Sequence, residues 1–161
     1  LTRFNAVVIS AQSGDKDAYD QLLDWGDDAS FPYQKIAKQT TDEMLRASEM
    51  YFPPFMTFNF DVQWKEGVDP NKFTLPQLKE IYKIAPGRTR LGIIQFIWEK
   101  RLDISKKERL QFLADVLKDD KDLYIIKFVG KYFKDSAGDG FVPLSYKDHL
   151  EWWEKNKETV K

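Results

Sequence analysis

Three hydroxyl residues in the second half of the chain are each followed, three positions later, by an acidic or amide side chain: Thr74 and Gln77, Ser105 and Glu108, Ser145 and Asp148. At that spacing the hydroxyl accepts a backbone N–H of the first helical turn, and the later side chain reaches back to the cap's own N–H. Each pair therefore marks a helix start. Between the starts, "PGRTR" (86–90) and "KDDKD" (118–122) break the apolar periodicity where short helix–helix turns belong. The pattern predicts helices over roughly 75–85, 88–101, 106–117, 121–134 and 146–158.

The first third of the chain reads as helix too. Tyr33, Ala37, Thr40, Met44, Ala47 and Tyr51 recur every three or four residues and form one stripe of a long helix, with Ser30 as its N-cap and Pro32 in its first turn. Phe4, Val7, Val8 and Ala11 mark an earlier helix ending near Ser13 and Gly14, and Ala18, Leu22, Leu23 and Trp25 a short second one. The exception is "YFPPFMTFNFDVQWKEGVDPNKF". Pro53 and Pro54 oppose helix, while Phe58, Phe60, Val62 and Trp64 alternate as in a strand. With no partner strand identifiable, an extended connection over 52–73 is expected.

At 161 residues with 42% apolar content, the chain is long enough to bury one core, so a single helical domain over 1–161 is expected. Its net charge of −1 provides no global attraction to nucleic acid or an anionic membrane. No apolar run approaches the roughly 20 residues of a membrane span. Cysteine is absent, which removes disulfides and thiolate chemistry and leaves the compartment open. Leu1 in place of an initiating Met points to a fragment or processed form.

Sliding the chain by the 31 residues that separate Thr74 from Ser105 pairs Ile81 with Phe112, Tyr82 with Leu113, Ala85 with Val116, Ile94 with Ile125 and Leu102 with Phe133. These matches favour a repeated helical hairpin. The segment "ERLQFLADVLKDDKDLYIIKFVGKYF" resembles a HEAT-type repeat: an apolar first helix, an aspartate-bearing turn, then a second helix in which Gly130 takes a small-residue position. The resemblance spans about residues 74–134. The chain departs from that pattern in its short period and in the bulk of Tyr124, Phe128, Tyr132 and Phe133. The resemblance implies an α-α superhelix that binds macromolecules and carries no catalysis.

Chemical motifs are sparse. His149, the chain's one histidine, has Trp152 and Trp153 at i+3 and i+4, and reads as a helix-border residue against indole rather than a base or ligand. The two tryptophans lie about 100° apart around the helix, so one of them must cover a neighbour or stay partly exposed. "KDSAGDG" (134–140) lacks the ligand spacing of a calcium loop and reads as a solvated turn. Asp119, Asp120 and Asp122 read as helix-start charges, as do Asp27 and Asp28. "APGRTRLG" has neither the preceding strand nor the following lysine of a nucleotide loop. Lys100, Arg101, Lys106, Lys107 and Arg109 form a local basic cluster, either a docking rim or a solvated face balanced by Glu99, Asp103 and Glu108.

The expected architecture is all-α: stacked antiparallel helical hairpins in a HEAT-like superhelix, with one extended aromatic segment. The expected function is a non-catalytic protein-interaction or scaffolding module, with a protein partner, no nucleic acid, no cofactor and no metal. Phe55, Phe58, Trp64 and Trp152 are the expected apolar contacts, and Lys106, Lys107 and Arg109 the charged rim. The alternative is a small-molecule or glycan-binding domain built on a platform of Trp64, Trp152 and Trp153, hydrolytic where a carboxylate pair acts on the ligand.

Overall fold

The computed structural model describes residues 1–51, 62–138 and 140–160. Among these residues eight α-helices occur in order: α1 (Thr2–Gln12), α2 (Lys16–Asp27), α3 (Gln34–Tyr51), α4 (Leu75–Ile84), α5 (Gly87–Gln95), α6 (Lys106–Asp119), α7 (Leu123–Ala137) and α8 (Tyr146–Asn156). Among the described residues the fold is all-α, with a single antiparallel bridge between Asp15 and Asp122 in place of any strand. No described helix is long and apolar enough to cross a membrane.

The three capping boxes form as the sequence requires. Thr74, Ser105 and Ser145 each accept a first-turn N–H, and Gln77, Glu108 and Asp148 close the reciprocal bond. Two further aspartates cap as well: Asp15 receives the N–H groups of Asp17 and Ala18, and Asp122 that of Tyr124. Ser30 does not cap α3. Its hydroxyl and N–H both go to Asp28 Oδ1, closing a turn of its own, and the helix begins four residues later at Gln34.

The helices pack mostly with their chain neighbours: α2 lies against α1 and α3, and α4 against α5. The exception is α7, which packs on α5, α6 and α8 together. Leu123, Ile125, Ile126, Phe128, Val129, Tyr132 and Phe133 are all buried along it, so apolar residues occupy most of its circumference. A helix apolar nearly all round belongs inside a body. Trp153 of α8 is 1% exposed and donates its indole N–H to Gln111, whereas Trp152 is half-buried, within ring contact of Phe133 and Phe141.

Two polar clasps tie the N-terminal helices to this body. Lys16 is buried, and its Nζ donates to the carbonyls of Leu117 and Lys118 at 2.7 Å each, completing the last turn of α6 where a cation is favoured. Gly14, at φ +101°, turns the chain so that its carbonyl accepts the N–H of Leu123 at 2.8 Å. Tyr146 adds a third link by donating to Asp20 at 2.8 Å.

Ile94 and Ile125, paired at the 31-residue offset, are both buried, but the second helices do not start in that register: α5 begins at Gly87 and α7 at Leu123, 36 residues later. After α5 the chain continues as a π-helical turn over Phe96–Lys100, and the extra residue in that turn rotates the positions beyond it out of register. Leu102 is 80% exposed, whereas Phe133, its counterpart at that offset, is fully buried. Arg101 holds the exit of the turn by donating to the Phe73 carbonyl and to Asp103.

Gly130 sits where α8 crosses α7. A Cβ at this position would lie 2.8 Å from His149 Nε2, closer than such atoms approach, so any larger residue requires the buried His149 ring to shift. Gly130→Ala gains helix propensity of about 1 kcal/mol but forces His149 aside, and overpacking of this kind costs about 1–3 kcal/mol. Net destabilisation is expected in urea unfolding. The Gly130→Ala/His149→Ala double variant is expected to lose less than the two single losses combined.

Candidate functional site

A concave groove with a volume of about 1090 Å³ runs between α4 and α6. Its floor is apolar: Phe73, Leu75 and Ile81 from one side, Phe112 and Val116 from the other. Two contacts span it. Lys79 Nζ meets Asp115 Oδ2 at 3.0 Å, and the Tyr82 and Phe112 rings meet edge to face at 5.5 Å. Capping fixes both walls, because the boxes at Thr74 and Ser105 set the starts of the two helices that form them.

Asp120 closes one end of the groove. Its side chain is 1% exposed, and its Oδ2 accepts both the Tyr82 hydroxyl and Arg90 Nη1, the latter at 2.6 Å. Its Oδ1 accepts the N–H of Asp122, which in turn caps α7. Burial and the bond to Asp120 push the Tyr82 phenol far above its ordinary range, so it stays protonated and donates. The Arg90 guanidinium also lies 5.9 Å from the Tyr82 ring centre. A reading of Asp120 as a helix-start charge is therefore corrected: the cap is Asp122, and Asp120 is a buried counter-ion joining α4, α5 and the start of α7.

The residues singled out from sequence lie elsewhere. Phe55 and Phe58 fall outside the described residues. Trp64 is half-buried against Phe73 and Phe96, with ring centres 5.7 and 6.1 Å away. Trp152 stands on the far side of α7, against Phe133 and Phe141, and Trp153 is in the core. The three tryptophans thus occupy three separate environments. Of the basic cluster, Lys107 pairs with Glu158 at 3.2 Å, while Arg109 donates to the Trp98 carbonyl and stacks 5.4 Å from its ring centre. Lys106 is exposed. None of the described ones lines the groove.

His149 is 7% exposed, and its Nδ1 finds no hydrogen-bond partner. Burial pulls its pKa down to about 4, against a smaller opposing pull from Asp148. Among the described residues no group of three or more ionisable side chains is arranged to hold a metal. No family model, no curated protein and no solved structure matches the chain.

Both buried clusters give measurable outcomes. Asp120→Ala strands Arg90 and Tyr82 and should cost about 3 kcal/mol, discounted for the partial exposure of Arg90, whereas Tyr82→Phe should cost about half as much. Chemical unfolding of both variants checks the ranking. For His149, the folded pKa lies below the ordinary 6.5, so the unfolded chain takes the proton first as pH falls. Its contribution is complete above pH 6.5 and fades towards pH 4, by roughly 3 kcal/mol. The stability difference between wild type and His149→Gln should track that window, and a flat difference would contradict the burial of a neutral imidazole.

Proposed function

We propose that this chain is a protein-interaction module, a stack of helical hairpins in the HEAT-like manner, and that the α4–α6 groove receives an amphipathic helix from a protein partner. The observation that carries this reading is the combination of an apolar floor with a charged rim already neutralised in place. Lys79 pairs with Asp115, Lys83 with Glu80 and Arg90 with Asp120. The paired charges frame the half-buried apolar strip of Phe73, Leu75 and Ile81, which is what a docking helix would bury.

Size favours the same occupant. Ligand pockets for small molecules run to about 1,000 Å³ and enclose most of the ligand. At about 1090 Å³, this groove lies at the upper end of that range and is open along its length. Two turns of α-helix, about 10 Å across and 11 Å long, take up roughly 850 Å³. Apolar anchors one turn apart on such a helix would meet the half-buried Phe73, Leu75 and Ile81.

Selection of a displayed random-peptide library on the folded protein tests the proposal. Recovered sequences should carry apolar anchors at i, i+3 or i+4, and i+7. They should lose binding to Ile81→Glu, which places a carboxylate on the floor at a half-buried position, while Trp152→Ala still binds. Peptides without helical spacing, or binding undiminished by Ile81→Glu, would contradict it.

A further inference from the structure

Beyond the three ion pairs on the rim of the α4–α6 groove, two carboxylates of α6 line it without a cation: Glu108 and Asp119. Glu108 accepts the Ser105 hydroxyl and N–H, bonds that hold its carboxyl below the usual range and leave its charge in place. Asp119 has no ion-pair partner among the described residues. The lysines around it are committed elsewhere: Lys16 to the Leu117 and Lys118 carbonyls, Lys83 to Glu80, Lys118 to Glu154 and Lys121 to Asp17. Asp119 is also the last residue of α6, where the helix dipole already presents partial negative charge. A carboxylate there is unfavourable until a cation joins it.

The two residues belong to one edge. At about 100° per residue, Glu108, Asp115 and Asp119 fall within about 40° of one another around α6, with Phe112 and Val116 beside them. An acidic edge thus runs along the apolar floor. Its unpaired members are 11 residues apart, about 16 Å along the axis, somewhat more than the two helical turns the groove accommodates. A helix lying along this edge meets a free carboxylate at each end of its apolar stretch.

Resting on the reading of the groove as a helix-docking site, we infer that its occupant is a basic helix, with a Lys or Arg on each side of the apolar anchors to meet Glu108 and Asp119. Charge complementarity of this kind selects among partners that share the same apolar stripe. An acidic helix would bring like charges together at both ends, and a neutral one would leave both carboxylates unpaired.

Three synthetic helical peptides test this on the intact chain. All carry leucine anchors at i, i+4 and i+7, and they differ only at i−1 and i+10, which hold lysine, glutamine or glutamate. Those two positions lie on one flank of the helix, about 16 Å apart. By fluorescence anisotropy at about 50 mM salt, the lysine peptide should bind about tenfold tighter than the glutamate peptide, with glutamine between them. The spread should shrink at about 0.5 M salt. Asp119→Asn and Glu108→Gln keep the shape of each side chain, the latter with an oxygen for Ser105, and together should reduce the preference to under about twofold. Asp135→Asn, outside the groove, should leave it intact. Equal affinity for the three peptides, a glutamate preference, or a lysine preference that survives the double variant overturns this inference and leaves helix docking standing. Failure of all three to bind also overturns it, while the library selection separately decides whether the groove takes a helix at all.

Discussion

The structure depends on the burial of α7. Its apolar residues run around most of the helix, and α5, α6 and α8 each use their own apolar stripe to cover part of it. A helix of this kind is insoluble alone, since each large apolar side chain left in water costs about 1.5–3 kcal/mol. Its neighbours are therefore held by what they cover, and their caps and turns determine how closely each can approach. Gly130 shows the limit at one crossing: α8 comes near enough that His149 occupies the space a side chain would need.

The groove results from this arrangement. Helix α4 packs on α5 and α6 packs on α7 and α8, so the two outer helices meet each other chiefly through long side chains, and the groove lies between them. Asp120 sets the groove's end because it must neutralise Arg90 and receive Tyr82 while the following residues start α7. The N-terminal helices share the apolar core with the rest of the body and are tied to it further by polar clasps at Gly14 and Lys16.

Much of the fold was legible in the sequence because helix starts are written locally. The hydroxyl and its partner three residues later are both needed and both visible, so the starts of α4, α6 and α8 were readable to the residue. The start of α3 was not, since Asp28 competes for the Ser30 hydroxyl and wins by lying only two residues away. The groove was not legible either. Its floor residues look like ordinary stripe positions, and nothing in their spacing separates the half-buried Ile81 from the buried Leu78 and Tyr82. The run "KDDKD" did carry a signal: three aspartates are more than one N-terminus requires, and the surplus one, Asp120, became the buried counter-ion. The π turn after α5 had no warning in the apolar pattern, which continues unbroken through Phe96, Ile97 and Trp98.

Native-state hydrogen exchange measures the central claim directly, because it ranks the free energy at which each helix opens. With α7 as the buried centre, the amides of Ile126 to Phe133 should exchange only through global unfolding, whereas α1, packed on α2, and α4, packed on α5, should open at lower cost. Exchange of α7 at or before the opening of α1 and α4 would contradict the account.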